Sequence, residues 1–368
     1  MTDKNPRDQN PTMKSLAIKE YCTPDQYAIL TLPVPKIEQA DQLLIKVHAA
    51  SINPIDVKVA VGVAKRVRSE QFPFKIGYDV SGTVIAVGTE VAISSPDLTP
   101  GTEVYTRLPE ECRGAVSEYV VSTISATAKK PQTISHAEAA SIPLASLTTF
   151  QTFETAAEHF RDSNGLAGKT VLIPGGLSGT GTVAVQLAKR VFKAGRVVTT
   201  LSTSKIGRVN GLLGEDVLDQ VIDYTKQDPL KTITPGSVDF LYDTMGQGVS
   251  YLPLMKKGGI IVSISGPPFG PELKKIMPMM PTGIRWMLNA AGGVLRFKAY
   301  MYSVTYTCQL MKPSAKDLNK LAGWIDEGKI KPVVGLKAAF GDLEKVREGC
   351  QQVYSAKGGI GKFVIEMD

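Results

Sequence analysis

Apolar and polar positions change period sharply between Thr170 and Leu201. Val171-Leu172-Ile173 is a continuous apolar run of the kind a buried strand shows. A turn of small residues follows, from Gly175 to Thr182. Val183, Val185, Leu187, Ala188 and Val191 then fall on a largely apolar helix, about three turns long. Arg196 to Leu201 returns to a strand pattern rich in β-branched residues. Strand, glycine turn, helix and strand within roughly thirty residues form a βαβ unit that opens a dinucleotide-binding fold.

The same patterning divides the rest of the chain. Residues 14–18, 43–50, 77–88, 100–105 and 114–121 read as strands separated by Pro and Gly turns, a β-rich segment built like a distorted barrel. Near Ser135 the texture changes. Ser135 caps a helix start with Glu138 three residues on, and residues 143–160 continue helical. Strand candidates at 221–224, 238–243, 259–264 and 294–306 then alternate with helices, which predicts a parallel sheet covered on both faces. The tail reads as helices near 315–327 and 343–354 and a last strand at 361–365. The expected architecture is α/β, with a β-rich domain from 13–139 completed by 310–368, a doubly wound domain from 140–309, and a disordered polar arm at 1–12.

The turn carries the first candidate chemistry. A cofactor pyrophosphate must approach the backbone closely, and the following helix offers free N–H donors and the positive end of its dipole. Two registers fit: Gly179-x-Gly181-x-x-Ala184 matches the G-x-G-x-x-G/A form literally, and Gly176-x-Ser178-x-x-Gly181 fits better by position. Gly176, Ser178, Gly179, Thr180, Gly181 and Thr182 are therefore candidate cofactor contacts. An NAD site carries an acidic residue about 20 residues on. Here Ser202, Thr203, Lys205 and Arg208 occupy that place, and no carboxylate follows until Glu215. Hydroxyls and cations suit a 2′-phosphate, so NADPH is the expected cofactor.

Composition narrows the class. The 368 residues are 43% apolar, enough for two cores, and Lys plus Arg exceed Asp plus Glu by 42 − 35 = 7. The excess is spread out rather than gathered in a basic stripe with interleaved aromatics, so nucleic acid is not expected. No apolar window reaches the length of a membrane span. Cys22, Cys112, Cys308 and Cys350 lie far apart without a C-x-x-C, which fits a reducing compartment and no metal site. The arm lacks an apolar signal core, and the cytosol is the expected location.

From Met13 onward the chain resembles the medium-chain dehydrogenase/reductase superfamily, in its zinc-free quinone oxidoreductase and enone reductase branch. The matching stretches are 50–56 (ASINPID), 77–82 (GYDVSG), 114–119 (GAVSEY), 144–150 (LASLTTF), the glycine turn, 221–224 (VIDY), 242–246 (YDTMG) and Gly361-Lys362. The resemblance implies a split GroES-like catalytic domain around a Rossmann domain, with the substrate cleft between them. It places Thr148 near the nicotinamide and Asn53 in its pocket, and it puts Tyr224 and Lys205 beside the adenosine phosphate, with Ile264 also at the cofactor. Zinc members carry Cys in the loop here occupied by 53–56, and a His-Glu pair where Tyr78-Asp79 stands. The only histidines are His48, His136 and His159. Asp79 reads as structural. Enoyl-thioester reductases place a tyrosine soon after the Asn-Pro-x-Asp loop; 58–65 has none, which leaves Tyr78 or water as the proton donor.

The activity implied is NADPH-dependent, zinc-independent hydride transfer to an electron-poor C=C or a quinone. A trans-acting enoyl reductase of a polyketide-type pathway and a non-catalytic NADPH- or RNA-binding protein remain alternatives. Two further expectations concern 271–306. Trp286 with Met277, Met279, Met280 and Met287 is expected to cover the substrate cleft. Pro278, Pro281 and Gly283 argue against a long amphipathic helix there. Residues 294–306 are expected to form an edge strand that pairs two copies into a homodimer.

Overall fold

The computed structural model describes residues 11–63, 65, 70–266, 269–270, 273, 280–356 and 359–367. Of the polar arm, residues 1–10 lie outside the described residues, and Thr12 already opens the first strand.

The strands in chain order are β1 (Thr12–Ile18), β2 (Ala28–Pro33), β3 (Gln42–Ile52), β4 (Phe74–Lys75), β5 (Asp79–Val87), β6 (Glu103–Arg107), β7 (Tyr119–Thr123) and β8 (Thr127–Lys129). They continue with β9 (Thr170–Pro174), β10 (Arg196–Leu201), β11 (Gln220–Asp223), β12 (Val238–Asp243), β13 (Met255–Ser263), β14 (Thr305–Cys308), β15 (Val334–Ala339) and β16 (Lys362–Glu366). The first eight strands and the last two make a GroES-like β-rich unit. Its larger sheet runs β15-β16-β3-β5-β6-β8, with β7 also on β3, and a smaller sheet runs β2-β1-β4. The tail belongs here because β16 pairs antiparallel with β3, Phe363 opposite Ile52 and Ile365 opposite Ala50.

The middle of the chain forms a six-stranded parallel sheet in the order β11-β10-β9-β12-β13-β14. This is the doubly wound order, with the strand order reversing between β9 and β12. Buried parallel strands need both faces apolar. Val171 and Ile173 pack on one face with Ala184, Val185 and Phe153. Leu172 between them packs on the other with Leu241 and Ile261.

Ser135 does cap the helix His136–Ala140: its hydroxyl accepts from Glu138 N–H, and the Glu138 carboxylate accepts from Ser135 N–H at 2.9 Å. The helix after the glycine turn is regular over Gly181–Gln186 and widens into a π turn at Leu187–Val191. The strand expected at 294–306 is a correction. Residues 294–300 are the last third of a helix, Thr282–Tyr300, and the edge strand is the four-residue β14, parallel to β13. Over seven residues the run fits both periods. Over nineteen, the inward positions Ile284, Leu288, Gly292, Leu295 and Ala299 fit only the helical one. The breakers also do less than expected. Pro281 is the N-cap and Gly283 lies in the first turn, so neither interrupts the helix; Pro278 lies outside the described residues.

Candidate active site

The glycine turn sits between β9 and the helix Gly181–Gln186, and its close contacts define which glycines are required. Gly175 has φ +70°, a left-handed conformation that disfavours a side chain. A Cβ on Gly176 would collide with Thr199 Oγ1, and one on Gly181 with the Gly175 carbonyl. Gly176 N–H donates to Thr199 Oγ1 at 2.9 Å, tying the turn to β10. Ser178 Oγ accepts from Gly181 N–H at 3.1 Å and so satisfies one of the donors that open the helix. Thr180 O accepts from Ala184 N–H at 3.0 Å, and Thr182 Oγ1 donates to Gly179 O at 3.3 Å. Of the two registers, Gly176-x-Ser178-x-x-Gly181 is the one whose outer glycines are sterically obligatory.

The tail closes over this turn. Gly361 N–H donates to Leu177 O at 2.9 Å, and a Cβ on Gly179 would lie 3.0 Å from Lys362 Cδ. Lys362 thus enters the catalytic sheet directly beside the cofactor-type turn. Its ammonium is buried and donates to Asn53 Oδ1, and it stands 3.5 Å from Asp79 Oδ2. Asp79 is fully buried and also accepts from Ser51 Oγ (3.1 Å), Asn53 Nδ2 (2.8 Å) and Leu144 N–H (2.9 Å). The Asn53 amide is held from both sides, its nitrogen by a carboxylate and its oxygen by an ammonium, which fixes its orientation. Burial pushes the Lys362 pKa down, while Asp79 and Asp56 pull it back up. Asp79 bridges β5 to the first turn of the helix Pro143–His159, so one carboxylate joins the two units.

Asp56 completes the cluster. Its Oδ2 accepts from Asn53 N–H at 2.7 Å, and its Oδ1 is buried without a partner among the described residues. Burial pushes its pKa up to about 7, against the Asn53 N–H bond that lowers it. A carboxyl whose folded pKa is raised holds its proton longer in the native state. Its contribution is therefore fullest below the unfolded value of about 3.9 and is lost as pH rises toward 7. Asp56→Asn removes this titration. In urea melts, wild type is expected to lose stability relative to Asp56→Asn between pH 4 and 7; a constant difference across that window would show that Asp56 does not titrate there.

Comparisons with known proteins identify the family. Residues 39–132 match the alcohol dehydrogenase GroES-like domain, and residues 218–365 match the family described as zinc-binding dehydrogenase. The 2-methylene-furan-3-one reductase of Solanum lycopersicum is 32% identical, over 96% of this chain and 79% of its own. The chloroplastic NADPH-dependent alkenal/one oxidoreductase of Arabidopsis thaliana is 34% identical, over 83% and 67%. The chain belongs to the zinc-free branch of the medium-chain dehydrogenase/reductase superfamily. The quinone oxidoreductase structure from Coxiella burnetii superposes with a TM-score of 0.78 at 26% identity, covering 97% of this chain and 100% of that one. The chain is an NAD(P)H-dependent oxidoreductase of this superfamily.

Within that family frame the remaining sequence candidates divide. Thr148 is nearly buried and its hydroxyl donates to Leu144 O at 2.7 Å, one turn back along its own helix. Neighbouring Thr149 lies 3.1 Å from the Tyr242 hydroxyl of β12, inside the Rossmann unit. Tyr78 is buried beneath Arg107, and its hydroxyl donates to Glu110 Oε2 at 2.7 Å. Burial first, and then the Glu110 charge, push its pKa above the ordinary tyrosine value. Lys205 Nζ donates to Gly359 O at 2.7 Å, linking the loop after β10 to the tail, and burial lowers its pKa. Arg208 is exposed. Thr203 Oγ1 donates to Asp223 Oδ2 at 2.6 Å, and Ser202 Oγ lies 3.4 Å from Ser204 Oγ. Tyr224 presents a half-exposed ring just beyond β11, and Ile264 N–H donates to Asp243 O at 3.0 Å beyond β13.

Three features of this region were given no role in the sequence reading. Lys362 is one: the resemblance includes Gly361-Lys362 but gives the lysine no role, and its signal was a Lys opening the apolar run Phe363-Val364-Ile365. Asp223 is another: no carboxylate follows in sequence before Glu215, but Asp223 reaches the same loop from the neighbouring strand. Hydrogen bonds from Thr203 and Thr225 lower its pKa. The third is a histidine pair. His48 and His136 meet with ring centroids 4.5 Å apart, their nitrogens engaged by Thr83, Ser81 and Glu103. Among the described residues no group of three His, Cys, Asp or Glu could hold a metal ion. A separate cavity of about 670 Å³ lies at the β14 edge, lined by Tyr300, Tyr306, Cys308 and Gln309 and by no residue of the turn or the Asn53 cluster.

Proposed function

We propose that this protein reduces α,β-unsaturated carbonyls and quinones with NADPH, and that 140–309 is the domain that carries the cofactor. The observation that bears most weight is the Asn53–Lys362–Asp79 cluster set against the glycine turn. In zinc members, a Cys stands in the loop here formed by 53–56 and a His-Glu pair stands where this chain has Tyr78-Asp79, and they serve an alcohol substrate. Here Tyr78 is bonded to Glu110, and the Asn53 amide and the Asp79 carboxylate are bonded to each other and held by buried Lys362. Such a site suits a substrate whose own conjugated oxygen takes up the charge that hydride delivers. The names of the two relatives and of the Coxiella structure, a methylene-furanone reductase, an alkenal/one oxidoreductase and a quinone oxidoreductase, support this reading.

NADPH, when bound, supplies the hydride. Gly176 and Gly181 hold the turn tight, since a side chain at either would meet Thr199 or the Gly175–Gly176 backbone, and this tight course brings the helix N-terminus to where a pyrophosphate would approach. Lys205 keeps two ammonium donors beyond its bond to Gly359, and Arg208 adds a second cation for the 2′-phosphate. Tyr224 offers its ring to the adenine side. Asn53, locked between two charged groups, orients the nicotinamide end, with Thr148 beside it. Tyr78, whose proton is directed at Glu110, is the less suited proton donor, which favours water. The free edge of β14 is where a second copy would pair to form a homodimer, and the four free cysteines accord with a cytosolic location.

NADPH oxidation measured against a panel of quinones, small enones and acyl-thioesters tests the activity. Turnover of the first two classes is expected, and exclusive turnover of thioesters would favour the enoyl reductase reading. In calorimetry NADPH is expected to bind more than tenfold tighter than NADH, since a charge-assisted hydrogen bond contributes roughly 1.5–3 kcal/mol. Lys205→Ala should narrow that gap. Equal affinities in the wild type would instead point to Asp223 as a ribose-binding carboxylate and overturn the NADPH assignment.

A further inference from the structure

The helix Thr282–Tyr300 lies on the opposite face of the parallel sheet from the glycine-turn helix. The core beneath it contains Leu172, Leu241, Ile261, Ala299 and Tyr306 and, among the described residues, none from the catalytic unit. Its inward line is tightly seated, since a Cβ on Gly292 would collide with the Phe269 ring. Its outward line is apolar too. Trp286 (73% exposed), Phe297 (65%) and Tyr300 (75%) stand there with Met287, Val294 and Met301. Trp286, Val294, Phe297 and Met301, with Ala290 between the first two, are spaced three or four apart and lie on one side of the helix with Met287 and Tyr300. Trp286 is not among the residues that line the cavity at the β14 edge, Met280 is buried, and Met277 and Met279 lie outside the described residues. Exposed apolar surface of this extent marks an interaction site.

Charge decides the partner. Arg285 and Arg296 border the stripe on one side by helical position, and Lys298 on the other. No acidic residue occurs in the sequence between Glu272 and Asp317. The elements packed against the helix, the 3-10 turn Gly248–Leu254 and β14, carry none either. In a two-fold association the patch would meet its own copy, cation against cation. An anionic lipid surface meets it with the opposite sign, and Lys and Arg stems can extend from an apolar stripe to phosphate headgroups.

We propose that the helix Thr282–Tyr300 is a peripheral membrane anchor. It lies in the plane of an anionic phospholipid surface, its aromatic and methionine stripe in the headgroup–acyl boundary and its flanking cations on the phosphates. Among the described residues no helix is long and apolar enough to cross a membrane, so the contact is in-plane.

Vesicle flotation with the full chain tests this. Binding to phosphatidylcholine–phosphatidylserine vesicles is expected to exceed binding to phosphatidylcholine alone at least tenfold and to weaken with salt. The protein has two tryptophans. In Trp324→Phe, Trp286 is the sole indole, and its emission should shift to the blue when anionic vesicles are added. The double variant Val294→Asp/Phe297→Asp should lose flotation while keeping its melting temperature and NADPH oxidation. No flotation of wild type, or equal flotation of the double variant, overturns the proposal. So does a molar mass by light scattering that halves in the double variant, which would give this face to a second copy instead.

Discussion

Lys362→Met is expected to destabilise the protein by about 3 to 5 kcal/mol, the range seen when one partner of a buried charge pair is removed. Methionine keeps the apolar stem beside Gly179, so the effect isolates the ammonium. Without it, Asn53 Oδ1 loses its donor and Asp79 remains a fully buried carboxylate held only by Ser51, Asn53 and Leu144 N–H. Those three bonds keep the cost toward the low end. Urea unfolding with NADPH absent measures it. Because the two charges act as a unit, Lys362→Met/Asp79→Asn should be less destabilised than the sum of the single variants. The variant also reports on function: a released Asn53 amide should raise KM for NADPH more than for substrate. A stability change below 0.5 kcal/mol would mean that the cluster is solvated and that Lys362 does not position Asn53.

The cluster illustrates what was legible beforehand. Local patterns were short-range and survived. The βαβ unit, the Ser135 cap and the alternation of strands with helices each rest on neighbours within a few residues. The Asn53–Lys362 pairing spans almost the whole chain, and no period along the sequence encodes it. Asp79 could be read as structural because a carboxylate between a glycine and an apolar strand needs buried donors. Which donors, from Ser51 to Leu144 to Lys362, follows only from β16 returning to β3. The 294–306 error has a different origin. Seven residues of alternation are compatible with either period, and only the length of the run from Ile284 onward separates them. Asp223 was missed because adjacent parallel strands bring together loops that sequence distance keeps apart.

Gly181→Ala is expected to be the most damaging change in the glycine turn. Its Cβ would enter the space of the Gly175 carbonyl and the Gly176 backbone, neither of which can rotate away. Overpacking of this kind costs about 1–3 kcal/mol, and displacing the helix start should weaken NADPH binding more than tenfold, since the helix N–H groups and dipole then point past the pyrophosphate. Gly176→Ala should follow closely, because Thr199 Oγ1 is itself fixed, accepting from Gly176 N–H and donating to Ile173 O at 2.6 Å. Gly179→Ala should be mild in the apo protein: its one tight contact is Lys362 Cδ at 3.0 Å, part of a side-chain stem, the Gly361 carbonyl lies at an ordinary 3.5 Å, and Gly179 is absent from the residues with positive φ. The ordering separates the two registers open in the sequence. If the literal Gly179-x-Gly181-x-x-Ala184 form set the turn, Gly179 would occupy the tight-turn position and its substitution would match Gly181→Ala. Thermal melts of the three apo variants, followed by NADPH titration of each, decide it: equal losses at Gly179 and Gly181 would discard the Gly176-x-Ser178-x-x-Gly181 register.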